Sequence, residues 1–435
     1  MSETRSRLAQ HVQAAHLALR EFCQEFHDAG LAIGENAHVS ERQAKRWLAG
    51  DAELPRAQAR RVLEHWFGEP ITVLFGPPRG AGPAMVRTTP EELLMTTGRE
   101  SAEHALRSAA SLEPAALEAL HAEVARLARA YYTAAPLTLL AELVRLRDTV
   151  YGQIERTHKP RQRAELYMLA GTLCGLLSSI AFDLGHRDSA EELARAAYTY
   201  GSVIDHPSLC TWARALTMSV LLWSDQYREV VAVATRAAEL APAGTSRGRL
   251  YAVRARALAH LGAAREAAED LALSAIELDR AGTDELMDGI GGELGFDRTR
   301  RALCAGSAYV ALHDGDRGQA EAGAALLSFA AQPDGSRWRA GELAARVDLS
   351  TARALSGDLA GAEQALGEVL VLPAEHRTEA LTQRLDYLGR LVGAKYRGAI
   401  EAGRIGDAVA DFTAHALPRS TATLELPAPP ALSST

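Results

Sequence analysis

Cysteine, asparagine and long apolar runs are scarce in this chain of 435 residues. The cysteines lie far apart without a CxxC pair, which predicts reduced, mostly buried thiols rather than a disulfide framework or a zinc site. They are Cys23, Cys174, Cys210 and Cys304. No apolar run approaches the roughly 20 residues that span a bilayer, and the N-terminus lacks the apolar stretch of a secretory signal. We therefore expect a soluble protein of the cytoplasm.

Motifs that carry catalysis are also missing from the sequence. The 14 histidines form no HxxxH or HExxH pair on a helical face, so no metal site is predicted. There is no GxxxxGK[ST] sequence, and no GxGxxG sequence follows a strand, so no nucleotide site is predicted. Ser178 and Ser179 lie in an apolar stretch without the turn that exposes a nucleophilic serine. The chain is therefore not expected to be an enzyme or to hold a cofactor.

β-Branched residues in strand-like alternation are rare, and ITVLF (71–75) is the one short candidate for a strand. Alanine, leucine, arginine and glutamate dominate instead, and the apolar residues recur at helical spacing. This pattern predicts an all-α protein.

Two stretches without periodicity divide the chain. GPPRGAGPAMVRTTP (76–90) is rich in glycine and proline and predicts a linker, after which a capping box with proline restarts the helical pattern at Thr89. The C-terminal PRSTATLELPAPPALSST has the composition of a disordered tail. The predicted division is an N-terminal module, a linker, a helical domain and a tail over residues 1–76, 77–89, 90–416 and 417–435.

Within the helical domain, one pattern recurs: an apolar helix, a turn with glycine or aspartate, and an alanine-rich helix. Its landmark residues are 40, 37, 53 and 42 positions apart: Ala190, Val230, Ala267, Ala320 and Ala362. This period predicts stacked helical hairpins near the tetratricopeptide type, with slightly long loops.

The longest interval contains the additional residues DELMDGIGGELGFDR (284–298), which we term the insert. Its glycines, with Met287 and Phe296, fit an ordered excursion onto the concave face that moves to cover a pocket. A tolerated surface insertion fits the sequence equally well.

Residues 40–50, SERQAKRWLAG, predict a short helix with sharp ends. Ser40 followed by Gln43 forms a capping box, and Gly50 supplies a left-handed stop. The buried side would consist of Ala44, Trp47 and Leu48.

The opposite side of this helix carries charge. Arg42 and Arg46 share one face, and Glu41 and Lys45 share the neighbouring one. The net charge of the chain is −8, yet residues 40–61 contain six lysines and arginines against three acidic residues. A local basic patch on an acidic protein is compatible with selective DNA binding, because salt screens distant charges.

These residues resemble a known family. VSERQAKRWLAG followed by LPRAQARRVLEHWFGEPITVLFGPP is similar to the helix-turn-helix of xenobiotic-response-element (Cro/C1-type) regulators. More narrowly, it resembles actinobacterial regulators in which this module precedes a tetratricopeptide-like domain. The similarity continues through ALHAEVARLARAYYTAAPLTLLAELVRLRDTVYGQI and ELYMLAGTLCGLLSSIAFDLG, so it covers most of the chain.

The resemblance implies roles for the residues of the short helix. Those matching Glu41, Arg42 and Arg46 lie where base edges are read, and those matching Gln43 and Lys45 tend to contact the DNA backbone. One stretch departs from the family pattern. GLAIGENAHVS (30–40), where a scaffold helix is expected, is roughly one turn too short. We therefore expect an abbreviated or irregular scaffold helix.

A stacked array presents a concave groove, the usual binding surface of such proteins. Candidate residues for an anion-favouring wall in that groove are Arg254, Arg256, Arg300, Arg301 and Tyr309. Peptide-sensing quorum regulators of Gram-positive bacteria join the same two modules and clamp a peptide backbone largely with asparagines. Asn36 is the one asparagine here and lies outside the repeats, which argues against a peptide held in that way.

Two functions follow as hypotheses. In the first, the protein is a transcriptional regulator whose N-terminal module binds a double-stranded DNA operator. Its repeats would form a homodimer and sense a small molecule, a peptide or a protein. In the second, the repeats form a protein-interaction adaptor without DNA binding, an alternative favoured by the acidic net charge and the short scaffold stretch.

Overall fold

The computed structural model describes residues 6–50, 54–78, 101, 112–282 and 284–417. Over these residues the chain is all-α, which confirms the predicted fold class. The strand candidate ITVLF was wrong, because Ile71–Leu74 forms one helical turn whose Ile71 and Leu74 are buried three residues apart. Most of the predicted linker, the restart at Thr89 and the tail from Pro418 onward lie outside the described residues.

The chain divides into two compact units, Met1–Arg99 and Glu100–Thr435, which we term the N-terminal unit and the repeat unit. The described helices of the N-terminal unit are α1 (Arg7–Ala14), α2 (Leu19–Ala32), α3 (Glu41–Ala49), α4 (Ala57–Phe67) and α5 (Ile71–Leu74). Their apolar sides meet in one core, which includes Leu8, Phe22, Phe26, Trp47 and Leu63.

The region before α3 differs from the sequence-based expectation. A turn at His16, whose φ is 55°, separates α1 from α2, and the Glu21 carboxylate accepts a hydrogen bond from the Ala18 N–H at 2.7 Å. Helix α2 then continues for 14 residues to Ala32. The expected abbreviated scaffold helix was therefore wrong: residues 30–32 end a full helix, and residues 33–40 are its connection to α3.

The repeat unit is a solenoid-like array of helical hairpins preceded by two further helices. These two are α6 (Pro114–Ala130) and α7 (Pro136–Arg156). The hairpins are α8 (Pro160–Asp183) with α9 (Arg187–Val203), α10 (Pro207–Leu222) with α11 (Tyr227–Leu240), α12 (Thr245–His260) with α13 (Ala264–Leu278), α15 (Arg298–Ala311) with α16 (Gly315–Ala330), α17 (Arg339–Ser356) with α18 (Leu359–Leu370), and α19 (Glu379–Lys395) with α20 (Ile400–Ala414). Within the insert lies the short helix α14 (Met287–Ile290).

Five of the hairpins share one turn. A residue with positive φ ends the first helix, and the next residue donates its N–H to the carbonyl five positions earlier, as His186 does to Ala181 at 2.8 Å. This 6→1 bond satisfies a carbonyl that the helix end leaves free. The residues with positive φ are Gly185, Asp225, Gly262, His313 and Gly357.

The shared turn also determines which residue of the second helix is buried in each repeat. The fourth residue after the N-cap is buried against the first helix in all five hairpins: Ala190, Val230, Ala267, Gly318 and Ala362. The predicted landmark Ala320 is exposed and was wrong by two positions. The last two intervals are therefore 51 and 44 residues, and the insert accounts for the longer one.

The array curls far enough that its last hairpin meets its first. The Arg187 guanidinium at the start of α9 forms an ion pair with Glu379 of α19 at 2.9 Å. The Arg339 N–H of α17 donates to the Tyr132 carbonyl, between α6 and α7, at 3.3 Å. The first helices of the hairpins consequently surround a common interior.

Helix α8 is long and apolar enough to cross a membrane, which the search for apolar runs in the sequence missed. Most of its apolar stretch is buried among other helices, however, as expected for the core helix of a soluble protein. Its Gly175 allows Trp212, a fully buried side chain of α10, to lie directly against the α8 backbone.

Replacing Gly175 with alanine should destabilise the repeat unit. The new Cβ would lie 2.2 Å from a ring carbon of Trp212, and the buried ring has no space to retreat. Overpacking of this kind costs roughly 1–3 kcal/mol, which exceeds the helix preference of alanine over glycine.

The matched control is Gly152→Ala in α7, where the added Cβ meets nothing within 4 Å. We expect that variant to gain roughly 0.5–1 kcal/mol, since alanine favours a helix over glycine. Thermal unfolding followed by circular dichroism measures both. Equal melting temperatures for Gly175→Ala and the wild type would contradict the packing described.

Candidate nucleic-acid interface and interior cavity

Helix α3 has the ends that its sequence predicts. The Ser40 hydroxyl accepts a hydrogen bond from the Gln43 N–H at 3.3 Å, and Gly50 ends the helix with a φ of 75°. Ala44 is fully buried and Trp47 is 3% exposed, whereas Leu48 is half-buried. The short helix is therefore fixed at both ends and along one side.

The Trp47 ring attaches α3 to the rest of the N-terminal unit. Its centroid lies 5.9 Å from that of Phe26 on α2 and 6.2 Å from that of Phe75 after α5, both in edge-to-face arrangement. Aromatic pairs of this geometry add to the stability gained by burial alone. One side chain thus holds α3 against both neighbours in the core.

The opposite side of α3 displays all the residues predicted to contact DNA. Glu41, Arg42, Gln43, Lys45 and Arg46 are each exposed. The Glu41 carboxylate accepts a hydrogen bond from the exposed Arg20 guanidinium at 3.1 Å. The face thus combines two arginines, a lysine, an amide and a carboxylate on a rigid helix, the donor and acceptor types that read base edges and phosphates.

Replacing Trp47 with alanine should unfold the N-terminal unit selectively, since removing a buried aromatic anchor costs roughly 3–5 kcal/mol. Trp66→Ala is the control, because the Trp66 ring is half-buried and should cost less. Hydrogen exchange read by mass spectrometry should show rapid exchange over α1–α5 in Trp47→Ala and unchanged protection of the repeat unit. Equal protection of α1–α5 in both variants would refute the anchoring role of Trp47.

In the repeat unit, the common interior contains a cavity of about 160 Å³. Helices α8, α10, α12, α15 and α19 and the insert line it. A second cavity of about 200 Å³ shares Trp223, Arg256 and Arg384 with the first. A third cavity of about 400 Å³ shares Tyr131, Asp183 and Trp338 with the first. The interior is therefore a series of adjoining spaces with aromatic and charged walls.

Two arginines secure the insert inside the array. The Arg249 guanidinium donates to the carbonyls of Glu293 at 3.1 Å and Leu294 at 2.7 Å, and also to that of Gly295. Arg300 forms an ion pair with the Glu293 carboxylate at 2.9 Å. Burial lowers the pKa of Arg249 to about 10, and the nearby positive charge of Arg300 acts in the same direction. Arg249 remains a cation at neutral pH.

The insert is an ordered part of this core, so the interpretation as a surface insertion was wrong. Met287 and Phe296 are 1% and 7% exposed. The Tyr132 hydroxyl donates to the Gly292 carbonyl at 2.7 Å, and any side chain at Gly292 would meet the Ala128 carbonyl. The alternative of an ordered excursion onto the concave face is confirmed, because Glu293 and Phe296 line the interior cavity. That the insert moves to cover a pocket stays a prediction.

Two further arginines face the interior from other helices. Arg384 of α19 forms an ion pair with Asp348 at 3.2 Å and also donates to the Ser307 hydroxyl at 3.2 Å. Arg256 of α12 pairs with no carboxylate among the described residues, and its buried Nε has no hydrogen-bond partner. Burial lowers the pKa of Arg256 to about 10, and the positive charge of Arg384 adds to this effect.

The structure brings together only part of the predicted anion-favouring wall. Arg256 and Arg300 line the interior cavity. Arg254 instead forms an ion pair with Asp270 at 2.6 Å, Arg301 donates to the Leu271 carbonyl at 3.2 Å, and Tyr309 contacts Arg317. Their inclusion in the wall was wrong, because neighbouring positions on a helix point in directions about 100° apart. The sequence-based prediction omitted Arg249 and Arg384, although both side chains also point from their helices into the interior cavity.

Asp183 faces the same cavity, and its carboxylate accepts a hydrogen bond from the Tyr131 hydroxyl at 2.6 Å. Burial raises the pKa of Asp183 to about 7, although the Tyr131 hydrogen bond lowers it; the negative charge of Glu293 raises it further. This carboxyl group changes its charge near neutral pH.

This shift predicts a pH dependence of stability. Between about pH 4 and about pH 7 the folded protein keeps a proton on Asp183 that the unfolded chain releases, so stability falls as the pH rises through that window. Asp183→Asn removes this loss and keeps an acceptor for Tyr131. The variant should melt with the wild type near pH 4 and above it near pH 8. Melting temperatures that stay parallel between these pH values would contradict the assignment.

Comparisons with known proteins add no further information about either site. No protein-family model matches the chain, and no curated protein matches it at a significant level.

Proposed function

We propose that the protein is a cytoplasmic, sequence-specific DNA-binding transcriptional regulator. The observation that carries this proposal is the exposed face of α3, where five side chains able to contact bases or phosphates stand on a capped helix anchored by Trp47. A full helix α2 precedes it, which removes the objection raised by the apparently short scaffold stretch. Such a helix, placed in the major groove, reads base edges with its exposed residues.

The acidic net charge is not an argument against this function. Residues 1–99 contain 12 lysines and arginines and 12 acidic residues, so the entire excess of eight negative charges belongs to residues 100–435. Long-range repulsion of DNA by those charges is limited, because salt screens charges beyond roughly 10 Å. A nearly neutral module with clustered cations favours selective over non-specific binding.

A homodimer is part of the proposal. One small module buries too little surface for a selective affinity, and two copies would read half-sites roughly 34 Å apart. Selection from a randomised duplex library with the full-length protein should therefore enrich a two-fold symmetric sequence. If no sequence is enriched and the protein fails to retard duplex DNA at low salt, the adaptor function is favoured instead.

Two substitutions in α3 should differ in a characteristic way. Arg42→Ala should lose about 1–3 kcal/mol of discrimination at one position of the selected site, because its guanidinium would read a base edge. Lys45→Ala should weaken binding to all sequences alike and reduce the salt dependence by about one ion, because its ammonium would contact a phosphate.

The control for both is Arg265→Ala, which removes an exposed positive charge from α13 of the repeat unit. It should leave affinity and salt dependence unchanged. Competition binding at several salt concentrations measures all three variants. Unaltered sequence preference in Arg42→Ala together with unaltered salt dependence in Lys45→Ala would show that α3 is not the recognition helix.

A further inference from the structure

The interior of the repeat unit contains more positive than negative charge. Five arginines line the two adjoining spaces, namely Arg249, Arg256, Arg300, Arg384 and Arg390. The carboxylates that line them are those of Asp183, Asp225, Glu293 and Asp348, of which Asp225, like Arg390, is exposed to solvent. Even with all four carboxylates ionised, these lining residues carry one more positive than negative charge.

The uncompensated charge can be assigned to one side chain. Arg300 has Glu293 at 2.9 Å, Arg384 has Asp348 at 3.2 Å, and Arg249 is surrounded by backbone carbonyls. Arg256 is half-buried and forms no ion pair with a carboxylate of the described residues; Arg384 lies close enough to add repulsion, which the negative charge of Asp348 offsets in part. A cation withdrawn from water without a paired carboxylate is destabilising, so a fold retains one most readily where an anion binds.

Aromatic rings lie along the walls of this interior. The guanidinium carbons of Arg256 and Arg384 lie 5.2 and 4.8 Å from the centroid of the Trp223 ring. Farther along the cavity, that of Arg300 lies 4.3 Å from the Trp338 centroid. The buried indole nitrogen of Trp338 has no hydrogen-bond partner. The walls therefore offer flat apolar surfaces beside a cationic end and an unused donor.

The space fits a small organic molecule. The cavity measures about 160 Å³, and an apolar cavity of roughly 150 Å³ holds a benzene ring. The adjoining space of about 200 Å³ continues past the same arginine and tryptophan. A molecule with one aromatic ring and an acidic group thus matches the volume, the walls and the charge.

We propose that the interior of the repeat unit binds a small aromatic anion, whose carboxylate or phosphate pairs with Arg256 and whose ring lies against Trp223. This inference goes beyond DNA binding and does not depend on it, since the site is formed by the repeat unit alone. It also differs from the wall predicted from sequence, which included Arg254 and Arg301 and omitted Arg384.

Binding is tested on the full-length protein without DNA, by titration calorimetry and thermal shift, with benzoate, phenyl phosphate and benzamide as probes. Benzamide has the shape of benzoate without its charge. The two anions should each bind at least about tenfold more tightly than benzamide, as expected for a charge-assisted hydrogen bond, and should raise the melting temperature. The tighter of the two anions identifies the acidic group that the site prefers.

Arg256→Met is the decisive variant. It should lose about tenfold or more in affinity for both anions, while its melting temperature without ligand equals or exceeds that of the wild type, because an uncompensated buried charge is removed. Arg265→Met, which removes an exposed charge from α13, should bind within about twofold of the wild type. If Arg256→Met does not fold, Arg256→Gln replaces it with the same expected loss.

Three results would overturn the proposal. The first is equal affinity of the wild type for benzoate and benzamide, which would show that charge plays no part. The second is anion binding that survives in Arg256→Met, which would place the anion elsewhere. The third is a large loss of unliganded stability in Arg256→Met or Arg256→Gln without loss of binding, which would make Arg256 a structural residue.

Discussion

The ion pair between Glu293 and Arg300 is the interaction on which the interior of the repeat unit depends. The Glu293 carboxylate also accepts a hydrogen bond from the Ser179 hydroxyl at 3.0 Å, and the Glu293 backbone carbonyl accepts one from Arg249. Residues of α8, α12 and α15 thus meet at one residue of the insert. Buried charges are costly unless their hydrogen bonds are satisfied, so this network requires α8, α12 and α15 to stay close to the insert.

The two units use arginine in opposite ways. On α3 of the N-terminal unit the cations are exposed, where their hydration makes them inexpensive to keep and available for phosphates and bases. In the repeat unit Arg249 and Arg300 are less than 10% exposed, and Arg256 lies beside them without a carboxylate. In the proposed anion site, the bound anion would complete the balance of charge and would favour the state of the array that binds it, since a ligand shifts an equilibrium only through a difference in affinity.

Much of the fold could be predicted from the sequence, because local patterns determine it. Helical periodicity gave the all-α class, and the side chains of Ser40, Ala44, Trp47 and Gly50 gave the ends and the buried side of α3.

The patterns failed where geometry depends on distant contacts. A turn at His16 with positive φ has no strong sequence signal, so the scaffold helix was sought at residues 30–40 instead of 19–32. The inward direction of Arg249 and Arg384 follows from the curvature of the whole array, which periodicity does not reveal. For the same reason a surface insertion fitted the sequence of the insert, although its carbonyls are bound by an arginine 44 residues earlier in the chain.

The interior site exists only if Glu293 of the insert is held inside the core. Hydrogen exchange of the full-length protein, read by mass spectrometry over peptides that cover residues 284–298, measures this. We expect these amides to exchange as slowly as those of α12 and α15, since the segment opens only when the surrounding core opens. Exchange within seconds, at the rate of an exposed loop, would contradict the closed interior and the anion site built on it.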